Sequence, residues 1–174
     1  MKKPTCNITT QPALSMRNKQ RGAAIMDNLI SVGFVALALV FIMGQVPSMQ
    51  YQWNKIQFQT QTSDIVRSVA AWKKARPNYD GITIKKVCDD GELSHSICGT
   101  SNDGKATNPF GGDWAVTVNS GSKGLYDVIG TLPSDPDRVI SLANTMAPAT
   151  RGGCIEATGC STLSMTGNSI TMTY

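Results

Sequence analysis

The sequence predicts an α+β fold: a long N-terminal helix, apolar over its first half, laid on an antiparallel β-sheet head together with a second short helix. Three observations predict it. Leu29 to Val46 is an apolar run without a charge. Beyond that run, Tyr51, Phe58, Ile65 and Trp72 recur every seven residues, Val66 and Val69 widen the stripe, and Gln, Thr, Ser, Asn and Lys fill the opposite face. After Pro77 the composition turns to Gly, Ser, Thr, Asn and Asp, and the apolar residues fall into short alternating stretches.

The elements follow in order. The first helix is expected from Ala23 to Ala75, because Arg76-Pro77 is a natural stop: proline disfavours helix at the residue before it. Such a helix is roughly 80 Å long at 1.5 Å per residue. A head of this size cannot cover it, so the first half is expected to protrude and the second to be covered. Gly44 and Pro47 fall near the junction, where they either bend or locally melt the helix or simply punctuate the end of the apolar run. Residues 78–112 read as a loop-rich segment held by one disulfide. Asp113 to Val118 alternates, with Trp114, Val116 and Val118 on one face, and reads as a strand. Asn119 to Lys123 is a turn and Leu125 to Leu132 a second strand. Ser134-Asp135-Pro136 starts a helix with proline at its first position, and Val139, Ile140, Leu142, Ala143 and Met146 are its expected inner face. Ser161 to Thr166 and Ser169 to Tyr174 alternate around Gly167-Asn168, a hairpin signal.

Charge is unevenly spread over the 174 residues. Residues 1–22 hold Lys2, Lys3, Arg17, Lys19 and Arg21 and no acid, whereas the remainder has 11 basic and 12 acidic residues. The basic balance therefore belongs to the leader, and no nucleic-acid binding is expected of the rest. Of five cysteines, Cys6 lies in the leader. Cys88, Cys98, Cys154 and Cys160 form an even set beyond the apolar run and read as two disulfides in an oxidising compartment. Three pairings are possible. Cys88–Cys98 with Cys154–Cys160 is favoured because short loops close most readily. A metal reading has little support, since no CxxC knuckle is present and His95 is the one histidine.

The apolar run is near the lower limit for crossing a bilayer as a helix, and its positive flank precedes it, which directs the N-terminus to the cytoplasm. Three arrangements compete: a secretory signal cut after the apolar run, a permanent single-span anchor, and a signal cut before the run so that the helix stays on the mature protein. The first has a long basic region and a poor cleavage context at Gly44-Gln45-Val46. Arg21-Gly22 immediately before the run, with Asp27 five residues past the glycine, favours the third. An acid at that depth in lipid costs about 2.5–3.5 kcal/mol on insertion scales, so it needs a partner. The plainer role for Asp27 is an acid favoured by the positive end of the helix dipole.

Arg21-Gly22-Ala23-Ala24-Ile25-Met26-Asp27 resembles the class III signal of type IV pilins. The resemblance implies cleavage between Gly22 and Ala23 by a prepilin peptidase, N-methylation of Ala23, and a charge pair between Asp27 and the Ala23 amine of a neighbouring copy. Most of that family carries glutamate where Asp27 stands, so the reach here is one methylene shorter. The 22-residue leader, the non-phenylalanine Ala23 and Asn108-Pro109-Phe110-Gly111-Gly112 are similar to the type IVb class, including PilS-like major subunits of thin conjugative and adhesive pili. That likeness implies a pilin fold with three parts. Residues 1–22 are a leader to be removed, 23–50 an apolar transmembrane and filament-core helix, and 51–174 a globular head that includes the second half of the helix. It further implies a homo-oligomeric helical filament, an inner-membrane assembly machinery, and residence in the inner membrane before export to the cell surface. The expected function is adhesion or conjugative mating contact. A type II secretion pseudopilin or a minor pilin shares the same signal, and a membrane-anchored periplasmic enzyme or binding protein is the reading from another class.

No catalytic constellation is present in the sequence, and neither an enzyme activity nor a cofactor is expected. His95 has no partner in sequence and reads as a surface residue. Asp89, Asp90 and Glu92 lack the spaced ligands of a calcium loop and read as a solvated acidic turn. Phe110-Gly111-Gly112 is no phosphate loop, because no Lys-Ser/Thr follows. Trp114 and Tyr126 are expected in the core. Lys73, Lys74 and Arg76 suit the negative pole of the helix they end.

Overall fold

The structure is a computed structural model. It describes the backbone of residues 20–174 and the side chains of residues 28–174. In chain order it contains α1 (Gln20–Lys73), α2 (Ile84–Asp89), α3 (His95–Cys98), β1 (Trp114–Val118), β2 (Tyr126–Thr131), α4 (Val139–Met146), β3 (Leu163–Thr166) and β4 (Ser169–Thr173). Single 3-10 turns cover Pro136–Arg138 and Ala147–Ala149. The fold is α+β, with a long apolar N-terminal helix and a small antiparallel sheet accompanied by short helices. The chain divides into two compact units, Met1–Pro47 and Ser48–Tyr174.

In the first unit the large apolar side chains from Leu29 to Val46 are exposed, with Leu29 and Phe41 each at 72%. Helix α1 runs through Gly44 and Pro47 without interruption, so neither residue melts it. In the second unit, α1 turns Tyr51, Phe58, Ile65, Val69 and Trp72 into the core, the face that the seven-residue spacing predicts. The helix ends at Lys73, where Lys74 takes a left-handed φ of 45°. Arg76 folds back over the Trp72 ring at 4.1 Å and donates to the Trp72 carbonyl, satisfying one of the open acceptors at the helix end.

The four strands are ordered β1-β2-β4-β3, every neighbour antiparallel. Trp114 and Val116, Tyr126 and Val128, Leu163, and Ile170 and Met172 are buried, alternating with half-buried or exposed residues. This buried face meets α1. The Phe58 ring lies 4.5 Å from Trp114 and 5.8 Å from Phe110, centroid to centroid. The Trp114 indole donates to Gln61 Oε1 at 2.9 Å, which satisfies its one buried donor.

Residues 78–112 are loop-rich and held by the Cys88–Cys98 bond, as expected, and also carry the short helices α2 and α3. Thr83 caps α2, its hydroxyl accepting from the Lys86 N–H at 3.3 Å, and Ile84, Val87 and Ile97 of the two helices are buried. One expectation needs correction, that of Ile140 on the inner face of α4. Ile140 is 61% exposed. The buried face of α4 is Val139, Leu142, Ala143 and Met146, and Ile140 sits about 100° round the helix from Val139, off that face.

Candidate functional site

The residues expected to carry processing and assembly lie at the start of α1. The backbone of Gly22, Ala23 and Asp27 belongs to the helix, while their side chains, like Cys6, fall outside the described residues. What the structure supplies is the surface that follows them.

Among the described residues, one helix is long and apolar enough to cross a membrane, and none of its most apolar window is buried. Phe34, Leu37, Val40, Phe41 and Met43 are each about 70% exposed. Each such side chain gains about 1.5–3 kcal/mol on leaving water, and a continuous apolar surface of this kind needs lipid or protein against it.

The head presents a second built feature, the turn Asn108-Pro109-Phe110-Gly111-Gly112. Asn108 is buried and fully used. Its Oδ1 accepts from the N–H groups of Phe110 and Gly112, both at 2.9 Å, and its Nδ2 donates to the carbonyls of Thr131 at 2.7 Å and Asp113 at 3.2 Å. Gly112 runs so close to β2 that a Cβ there would collide with the Thr131 carbonyl. The knot seats the Phe110 ring between Tyr51 and Phe58, with centroids 6.1 and 5.8 Å away. Its chemistry is structural. A buried amide and an aromatic anchor join the ends of β1 and β2 to α1, and every backbone group of the turn that could cradle an anion is spent on the protein itself.

Cys88 is joined to Cys98 and Cys154 to Cys160, with Cα atoms 5.7 and 5.8 Å apart. The first bond links α2 to α3 and is buried. The second closes a loop that presents Ile155, 89% exposed, and is anchored by the Ala157 N–H donating to Asn144 Oδ1 of α4 at 2.9 Å. Thr162 braces the same loop: its hydroxyl lies 2.8 Å from that of Thr150 and accepts from the Gly152 N–H at 3.1 Å.

Several charged residues of the head are held in pairs. Asp89 accepts from Asn102 and Lys85, which hold its carboxyl below the usual range. Asp90 pairs with Lys74 at 3.2 Å. Asp80 pairs with Lys123 at 2.7 Å, and that hydrogen bond lowers its carboxyl likewise. His95 opens α3 on the surface. No group of three His, Cys, Asp or Glu is placed to hold a metal among the described residues. Tyr126 and Tyr174 stack with centroids 5.9 Å apart, and Tyr79 lies 4.7 Å from Tyr126. Burial raises the Tyr126 hydroxyl far above its ordinary range and Tyr174 to about 12.

No family model, curated protein or solved structure matches the chain.

Three exposed residues on the head portion of α1 escaped the sequence reading: Met49, Trp53 and Ile56, at 70%, 63% and 54% exposure. Their signal was present as a second three–four spacing, turned away from the Tyr51 stripe.

Proposed function

We propose that this chain is a structural pilin of the type IVb class, made as a prepilin, cut after Gly22 and assembled into a helical fibre. The observation that carries the reading is the wholly exposed apolar half of α1 directly following the Arg21-Gly22 signal, on a chain whose remainder is a disulfide-bonded head. The apolar half needs lipid while the subunit waits in the inner membrane, and needs other copies of itself once the subunit leaves.

The processing residues have defined tasks in this reading. The basic leader holds the N-terminus in the cytoplasm, a prepilin peptidase cuts between Gly22 and Ala23, and the new Ala23 amine is methylated and remains cationic. Asp27 then meets the amine of a neighbouring copy as the assembly machinery draws subunits out of the membrane. Two unit charges 4 Å apart attract by about 4 kcal/mol at an effective dielectric constant of 20. That is comparable with the roughly 2.5–3.5 kcal/mol needed to place an acid in lipid, so an unpaired Asp27 opposes burial and a paired one permits it. The fibre serves adhesion or mating contact, with the head as its outer surface.

Mass spectrometry of the protein from its own host tests the reading. The mature chain is expected to lack residues 1–22 and to carry one added methyl group. Gly22→Phe is expected to keep the leader and to abolish surface fibres. An intact leader on the wild-type chain overturns the proposal.

A further inference from the structure

The head carries an apolar face that the processing signal does not explain. Met49, Trp53 and Ile56 follow one another at spacings of four and three along α1, on the side opposite Tyr51 and Phe58, and all three are exposed. Beside them runs an open groove of about 340 Å³, where Trp53, Ile56 and Gln61 face Ser94, Ser96 and Ile97 of the α3 segment. In the sequence the same three–four spacing extends back through Val46, Ile42, Leu39 and Val35 to Val32. This is the pattern of a seam that packs against other helices.

Charge identifies the occupant. From Asn28 to Ser63 the sequence contains one charged residue, Lys55; charges return only with Asp64 and Arg67. The flanks of the stripe are instead the exposed amides Gln50, Gln52 and Gln57. An exposed helix of a solitary soluble head ordinarily carries many charges. A face that packs on the apolar segment of another copy, which has no charge from Leu29 to Val46, cannot, because each charge would be buried without a partner. Glutamine suits that case, since each amide both donates and accepts and so pairs with its own kind.

We infer that Met49, Trp53 and Ile56, with their glutamine flank, form a contact surface on the head for a second copy of this chain. The inference rests on the fibre reading and extends it from the apolar segment to the head: copies grip one another along the head portion of α1 as well. Trp53 supplies the large aromatic anchor typical of such contacts.

The three tryptophans make the test direct. Trp72 and Trp114 are buried in the head at 5% and 1%, whereas Trp53 is exposed, so acrylamide quenching reports on Trp53. Full-length wild-type protein dispersed in phosphatidylcholine vesicles is expected to be quenched readily, and purified fibres to be protected. Trp53→Glu and Ile56→Lys are expected to lose their leader normally and to melt at the wild-type temperature, because neither side chain is in the core. Both are expected to lower fibre yield by about tenfold or more, the loss typical of a central interface residue. Fibres in which Trp53 stays quenchable, or variants that polymerise at wild-type yield, overturn this contact and leave the fibre reading standing. Protection in vesicles that disappears in fibres assigns the face to lipid and overturns it too. A wild-type chain that makes no fibre removes the fibre reading and this contact together.

Discussion

Gly130 shows how one missing side chain orders the core. It sits in β2 opposite Trp114 on one side and Ile170 on the other, a position where glycine weakens a strand. A Cβ there would lie 2.6 Å from Phe58 Cζ and 2.9 Å from Trp114 Cζ3. The gap admits the Phe58 ring against the sheet, so the local penalty of glycine is offset by burial of a full aromatic ring. Gly130→Ala is therefore expected to destabilise the head by about 1–3 kcal/mol through overpacking. Phe58→Ala is expected to cost about 3–5 kcal/mol through the cavity it leaves. Urea unfolding checks both as a lower midpoint at unchanged slope. The sequence placed Phe58 inside by its spacing, but nothing in the sequence tied Gly130 to it, because the two meet only when α1 lies on the sheet.

Among the elements, the disulfide-bonded segments divide into two kinds. The Cys88–Cys98 bond joins two helices too short to persist alone and has both sulfurs buried. The Cys154–Cys160 bond closes a half-buried surface loop. Loop-closure entropy alone gives each about 2–3 kcal/mol. The buried bond adds packing that the other lacks, so Cys88→Ala/Cys98→Ala is expected to lower stability more than Cys154→Ala/Cys160→Ala, measured by urea unfolding of the two variants. The cysteine spacing made this pairing readable in advance. Helices α2 and α3 were not readable, because six and four residues are too few to show a period; the Thr83 cap and the buried contacts of Ile84, Val87 and Ile97 define them. Ile140 lies outside for a related reason: eight residues are too few for the sequence to fix the edge of the buried arc, which Val139, Leu142, Ala143 and Met146 define and Ile140 falls beyond.

At the scale of the whole molecule, the head's response to pH follows from its buried tyrosines. Tyr126 and Tyr174 hold their protons in the folded head well above the ordinary value of 10.0, Tyr174 to about 12, because burial disfavours the phenolate. In the unfolded chain both ionise near their ordinary value. Their contribution is thus fully present below pH 10 and is lost as pH rises from there toward 12. Thermal melting between pH 8 and 12 is expected to be level at first and then to fall, with the loss reduced in Tyr174→Phe. On the acid side the sign reverses. Asp80 and Asp89 are held below 3.8 by their partners, so their contribution is present above that pH and fades as pH falls through the lowered values. Both are exposed, and solvent screening keeps that contribution small.

The sequence by itself determined what depends on neighbours along the chain. The long helix and its stop came from spacing and Pro77, the strands from alternation, the Gly167-Asn168 hairpin from its turn residues, and the pairing of cysteines from short separations. These are local properties, written at a period of 2 or 3.6 residues. Only the tertiary structure decided that β4 inserts between β2 and β3, that Phe110 wedges between Tyr51 and Phe58, and that Trp53 stays outside while Trp72 and Trp114 go in. Each of these choices is made between segments far apart in the chain, where complementary shape and competition for the same buried space select one arrangement, and no local period records the outcome.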